Sequence, residues 1–287
     1  LIVHYDDRSI IYVGGNDGML HCFDDETGEE RWGFIPPDLL SNLNALVAPS
    51  RLQYFVDGTP VVYQYQEEGV PKKLIIFGER RGGFHYNALD VTNYATPAFK
   101  YSVSPGILGE NKENLGQSWA EPQLVRMVDG SGNVKDVFLL AGGYDINQDK
   151  IEGSDDPPAS EDSEGRAVFA VDAQTGALFS PFSFTHDNYS SMTHSIIAVS
   201  GFENPQSRTT TRVYAGDLNG NLFAFRDDVF DVNPALDGRE DGYWGQKMKL
   251  YSVPGKKIWY PPNIVNEYFR VKFEVTGEEN DGGQTEV

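Results

Sequence analysis

The chain has 287 residues, with 43 Asp plus Glu against 23 Lys plus Arg and a formal net charge of −20. A surface this acidic repels a phosphate backbone and an anionic bilayer, which argues against nucleic acid and lipid headgroups as partners. Hydrophobic residues make up 39% and no run of about 18 apolar residues occurs, so the chain can bury a core but shows no segment suited to membrane insertion.

Cys22 is the only cysteine, which rules out an intramolecular disulfide and a cysteine-based zinc cluster. With 30 Gly, 16 Pro, 15 Tyr and 17 Phe, the composition favours short strands and tight turns over long helices. In chain order, the first unit is Tyr12-Val-Gly-Gly-Asn-Asp-Gly-Met-Leu-His-Cys-Phe-Asp24, read as strand, Gly-rich turn, strand. Pro37-Asp-Leu-Leu-Ser-Asn-Leu43 is the best helix candidate, with Pro at a first helical position and spaced leucines.

A second unit runs from Ile75-Ile-Phe-Gly78 to Asn87-Ala-Leu-Asp-Val-Thr92, and a third from Leu139-Leu-Ala-Gly142 to Val168-Phe-Ala-Val-Asp-Ala-Gln-Thr-Gly176. The fourth, Tyr214-Ala-Gly-Asp-Leu-Asn-Gly-Asn-Leu-Phe-Ala-Phe-Arg226, lies on the first without a gap, Gly14 on Gly216, Gly18 on Gly220, Leu20 on Leu222 and Phe23 on Phe225. Gly14, Gly78, Gly142 and Gly216 are 64, 64 and 74 residues apart, and Phe269-Arg-Val-Lys-Phe-Glu-Val-Thr-Gly277 hints at a fifth unit. A repeat of this length holds about four strands. The expectation is an all-β chain, a β-propeller of four-stranded antiparallel blades, forming one domain or part of one over residues 1–287. An acidic insertion is expected at 145–165 and a solvated tail at 278–287. Either the first and last strands share a blade, or the chain is a piece of a longer protein.

The acidic insertion is the best metal candidate. Asp145, Asn147 and Asp149 place oxygens at i, i+2 and i+4, the first three ligand positions of an EF-hand-type loop, with Asp156 at the twelfth. Lys150 stands where such a loop wants Gly, and an acidic loop with an Asx turn explains the segment equally. Segment 145–164 carries eight acids against Lys150 alone. Asp129-Gly-Ser-Gly-Asn133 also looks calcium-like, but a hairpin turn accounts for it. His4, His21, His85, His186 and His194 show no metalloprotease spacing, and His21 and Cys22 fall within a strand. Ser195 lacks a nucleophile elbow and Gly82-Gly83 lacks a phosphate-loop pattern. Arg80-Arg81 is a basic spot suited to a solvated or salt-bridged pair. Tyr243-Trp244 and Trp259-Tyr260-Pro261-Pro262 can anchor a partner or cover a blade edge. No catalytic constellation emerges, so the expectation is not an enzyme.

Asp25-Glu-Thr-Gly-Glu-Glu-Arg-Trp32 resembles the repeat of pyrroloquinoline-quinone-type propellers. A closer resemblance covers nearly the whole chain. Phe34-Ile-Pro-Pro-Asp-Leu-Leu40, Phe55-Val-Asp-Gly-Thr-Pro-Val-Val62, Arg81-Gly-Gly-Phe84, Ala88-Leu-Asp-Val-Thr92, Leu115-Gly-Gln-Ser-Trp-Ala-Glu-Pro122 and the first and fourth units occur in the order found in the type IV pilus tip adhesin family of the PilY/PilC type. That resemblance implies a non-enzymatic propeller, exported through the periplasm to the cell surface at the pilus tip. It would contact minor pilins, support pilus assembly and adhesion, and meet a host-cell or surface receptor. It also implies calcium, in a loop before the Tyr214 strand. The matching positions here, Glu203, Pro205, Ser207 and Thr211, retain one carboxylate, so that loop is read as lost. The alternatives are a propeller quinoprotein dehydrogenase, or an outer-membrane assembly-type scaffold.

Overall fold

A computed structural model of the chain describes residues 1–47, 53–108, 115–149, 161–227 and 244–264. These residues form four antiparallel sheets of four strands, each in sequence order. The first holds β1 (Ile2–His4), β2 (Ser9–Gly14), β3 (Leu20–Asp24) and β4 (Glu30–Phe34). The second holds β5 (Val61–Glu67), β6 (Val70–Gly78), β7 (Tyr86–Asp90) and β8 (Ala98–Val103). The third holds β9 (Gln123–Val128), β10 (Val134–Ala141), β11 (Ala167–Asp172) and β12 (Leu178–Thr185). The fourth holds β13 (Ile196–Glu203), β14 (Thr210–Asp217), β15 (Asn221–Arg226) and β16 (Gln246–Ser252).

The repeat is real at the level of register. Gly14 of β2 pairs with Leu20, and Gly216 of β14 pairs with Leu222, the same step in both blades. Gly78 ends β6 in the same place, and Gly142 follows β10 directly. The glycine is needed because the exit of the second strand lies against a neighbouring backbone. A Cβ on Gly78 would sit 2.5 Å from the Ser118 carbonyl oxygen. The Thr-Gly turns close the third and fourth strands, and the residue that organises them is Asp24 rather than Asp25. Asp24 Oδ1 accepts from the amides of Glu26 and Thr27, as Asp172 Oδ1 accepts from those of Gln174 and Thr175.

The apolar runs of β6 and β10 follow from burial on both faces. Side chains alternate along a strand, so Ile75 and Phe77 pack toward Ile10, Tyr12 and Leu20 of the first sheet. Leu74 and Ile76 pack toward Phe138, Leu140 and Phe169 of the third. Val137 and Leu139 then meet Val213, Phe223 and Phe225 of the fourth. The second and third sheets are thus each wedged between two neighbours, as blades are, and burying such a side chain fully stabilises by roughly 1.5–3 kcal/mol. β1 completes the first blade through its pairing with β2, and the fourth blade has four strands of its own, so among the described residues the first and last strands belong to separate sheets. The fifth unit and the tail lie outside the described residues.

The Pro37–Leu43 segment is helical, but as a 3₁₀ turn over Pro37–Asn42, with a short α1 (Asn44–Val47) behind it. The Asp129–Asn133 segment is the β9–β10 hairpin, its Asp129 carboxylate taken up by the amides of Ser131 and Asn133. No helix among the described residues is long and apolar enough to cross a membrane. In such sheets the second and fourth strands run the same way. The β6–β7 turn, the β10–β11 loop and the blade-to-blade connections therefore emerge at one end, and the candidate site lies there.

Candidate functional site at the loop end of the blades

The predicted metal loop begins at Asp145, just past β10. Asp145 is 2% exposed and caps the 3₁₀ turn Ile146–Gln148, accepting from the Asn147 amide at 2.9 Å. Its other oxygen accepts from the Ser163 amide, the Ser163 hydroxyl and the Glu164 amide at 2.7–2.9 Å. The carboxylate closes the base of the loop, a structural duty that serine and backbone donors fill. Asn147 is half-buried, and its Oδ1 has no hydrogen-bond partner. Asp149 turns to Arg81, which donates from Nη1 and Nη2 at 2.7 and 2.8 Å, and to the Tyr144 hydroxyl at 2.6 Å. The Arg81 hydrogen bond holds the Asp149 carboxyl below the usual range against a smaller effect of burial. Asp156 lies outside the described residues.

Arg81 is the hub of this end. Its guanidinium lies 5.4–5.9 Å from the ring centroids of Tyr144, Trp119 and Tyr54. Trp119 and Tyr144 are 4.9 Å apart, and Trp259 stacks on Tyr144 at 6.2 Å. Tyr54, Ile146, Trp259 and Tyr260 are exposed, Tyr260 at 83%. A cavity of about 790 Å³ opens beside them, lined by Asn42, Asn44, Tyr54, Arg81, Gln117 and Asp149 among others. Gln117 is buried, with its Oε1 unpartnered and its Nε2 reaching the Arg81 carbonyl at 3.4 Å.

Two sequence motifs that are far apart in the chain form this hub. The Ser118 hydroxyl accepts from the Glu79 amide at 2.8 Å, the Ser118 carbonyl accepts from the Arg80 amide, and the Ser118 amide donates to the Gly83 carbonyl. Leu115–Pro122 is thereby zipped to the turn that carries Arg81. Arg80 holds φ at +47°, a left-handed conformation that costs an L residue about 1 kcal/mol or more, and the Ser118 contact fixes it. The basic pair therefore divides its duties: Arg80 shapes the turn and Arg81 bridges to the next blade.

The same turn carries a second cluster that the sequence does not announce. Asp38, Glu79 and His85 place one ligand atom each within 4.8 Å of one another, the single such set of three or more His, Cys, Asp or Glu side chains among the described residues. His85 Nδ1 lies 2.9 Å from Asp38 Oδ2. Glu79 is fully buried and accepts from Asn87 Nδ2 at 2.7 Å and the His85 amide at 3.2 Å. Burial, and then the charge of Asp38, push the Glu79 carboxyl well above the carboxylate range. Burial opposes ionisation of Asp38 too, but the hydrogen bond and charge of His85 outweigh it and the carboxyl falls below its usual range. The three residues lie in a 3₁₀ turn, at the end of β6 and just before β7, so no spacing motif links them.

Elsewhere, His21 is held by Glu30 and Asp17, Cys22 is buried in the core, and Trp244 packs on Phe182. Glu203, the one carboxylate at the lost calcium positions, pairs with Arg126 and Arg208.

A family model described as PilY1 beta-propeller domain matches residues 5–243. A type IV pilus biogenesis factor PilY1 of Pseudomonas aeruginosa is 30% identical over 219 residues, covering 75% of this chain and 17% of that protein. A homolog of that factor from Xylella fastidiosa is 28% identical over 253 residues, covering 85% of this chain and 18% of that protein. The chain thus spans less than a fifth of the length of these relatives. The crystal structure of the Pseudomonas aeruginosa PilY1 C-terminal domain superposes with a TM-score of 0.54 at 27% identity, over 76% of this chain and 38% of that one.

Proposed function

The chain belongs to the PilY1 β-propeller family, and from that premise we propose that it is the non-enzymatic propeller of a type IV pilus biogenesis factor, acting through protein contacts. The observation that carries the reading is the family match over residues 5–243. In this reading the protein is exported through the periplasm to the pilus tip and contacts minor pilins to promote assembly. A host-cell or surface receptor is the second class of partner. The loop end is the contact face. It gathers the family-like segments Arg81–Phe84 and Leu115–Pro122 and presents Tyr54, Trp259 and Tyr260 around a paired arginine, the residue types that anchor protein interfaces.

Calcium modulation rests on Asp145, Asn147, Asp149 and Asp156. The unpartnered Asn147 Oδ1 favours it, but Asp149 must give up Arg81 to take part, so the expected affinity is in the range of about 10⁻⁴–10⁻³ M typical of extracellular modules. A quinoprotein dehydrogenase finds no support in the names of the relatives, which are pilus factors. The test is genetic. In-frame removal of this propeller from the full-length protein of a piliated strain is expected to abolish surface pili. Normal piliation overturns the reading. Trp259→Ala with Tyr260→Ala, at unchanged protein level, is expected to reduce piliation if the loop end is the contact face.

A further inference from the structure

Glu79 poses a problem of charge. Its side chain is fully buried, and no lysine or arginine forms an ion pair with it among the described residues. A carboxylate removed from water requires a cation, a metal or a proton. His85 Nδ1 lies 2.9 Å from Asp38 Oδ2, so the imidazole and both carboxylates converge on one place. One further polar atom there lacks a partner. Asn87, fully buried and bonded to Glu79 through Nδ2, has an unpartnered Oδ1. A half-turn of the Asn87 carboxamide exchanges its oxygen and nitrogen at nearly the same positions and points the oxygen at the cluster.

We propose that Asp38, Glu79 and His85 form a binding site for a divalent transition metal, zinc first, which fastens the connection between the first two blades to the β6–β7 turn. The ligand set decides the class of ion. One imidazole nitrogen with two carboxylates suits zinc, whereas calcium takes oxygens alone. The distances permit it. Ligand bonds of about 2.0–2.2 Å in a tetrahedral site place the ligand atoms roughly 3.3–3.6 Å apart. The present atoms lie within 4.8 Å of one another, and the Asp38–His85 contact of 2.9 Å needs only to open slightly. Asp38 and His85 are about a quarter exposed, which gives the ion a way in and leaves a fourth position for Asn87 Oδ1 or water. Bound metal would neutralise Glu79 and hold Pro37–Asn42, which carries one wall of the cavity, against the second blade. The site's chemistry stands apart from the pilus reading.

The test uses the chain freed of metal by chelation, titrated with zinc alone against a chromophoric competitor, with cobalt as the spectroscopic probe. The expected result is one zinc per chain at micromolar affinity or tighter, a thermal midpoint raised by several degrees, and a cobalt spectrum with imidazole ligation. His85→Ala and Asp38→Asn, both partly exposed and expected to fold, should each lose at least about ten-fold in affinity and the cobalt signature. Asp149→Asn and His21→Ala should retain both. Absence of stoichiometric zinc, as a proton shared between Glu79 and Asp38 would give, overturns the proposal. So does zinc held equally well by His85→Ala.

Discussion

Arg81 grips Asp149 across 68 residues of sequence with two parallel hydrogen bonds, at 2.7 and 2.8 Å, joining the β6–β7 turn of one blade to the β10–β11 loop of the next. A forked guanidinium is the one side chain that can do this to a planar carboxylate, and lysine cannot replace it. The pair is partly exposed, so its worth lies in positioning more than in stability.

Arg81→Ala should therefore lower stability by only about 1 kcal/mol in urea unfolding. It frees Asp149, so calcium should bind several-fold more tightly to the variant by calorimetric titration. Equal or weaker calcium binding would separate Asp149 from any cation site.

Phe77 is fully buried between the first and second blades, where it meets Phe34 edge-on. Phe77→Ala leaves a cavity that two sheets cannot both close, and it should cost about 3–5 kcal/mol by denaturant titration. A loss under about 1 kcal/mol would mean that the blades repack freely.

A Cβ on Gly82 would overlap the backbone carbonyl of Phe55, an atom that cannot swing aside. Gly82→Ala should cost about 2 kcal/mol or more and shift the turn that carries Arg81. Loss of the Trp119 fluorescence environment before global unfolding would report that shift, and an unchanged spectrum and midpoint would refute it.

Burial lowers the pKa of His21, but its hydrogen bonds to the Glu30 and Asp17 carboxylates outweigh it and the net shift is upward. A folded pKa above the unfolded value of about 6.5 means that the stabilisation is fully present below about pH 6 and is lost as pH rises through the folded pKa. His21→Gln should lower the thermal midpoint at pH 5.5, with the difference from the native chain shrinking by pH 8.5. A constant difference would mean that His21 acts through packing alone, for example on Phe23.

The strands of each blade were legible because their physics is local. Alternation, turn glycines and Asx turns act within a few residues, so Gly14 and Gly216 could be aligned from sequence and take the same register in space. The continuous apolar run Leu74–Phe77 marked a strand buried on both faces, though which neighbour each face meets was not written in it. The acidic loop was legible only as composition. Its spacing suggests ligands, whereas the acceptance by Asp145 of the Ser163 and Glu164 amides, 18 and 19 residues on, is marked by no spacing.

By itself the sequence determined the repeat, the blade strands and the family likeness, because each rests on contacts close along the chain or on order along it. The tertiary structure alone decided that Asp149 meets Arg81, that Ser118 zips onto the Glu79–Gly83 turn, and that Asp38 joins Glu79 and His85. Those contacts arise where connections from different blades emerge at one end of the sheets. Residues brought together by the stacking of blades share no period, so no spacing in the sequence marks them.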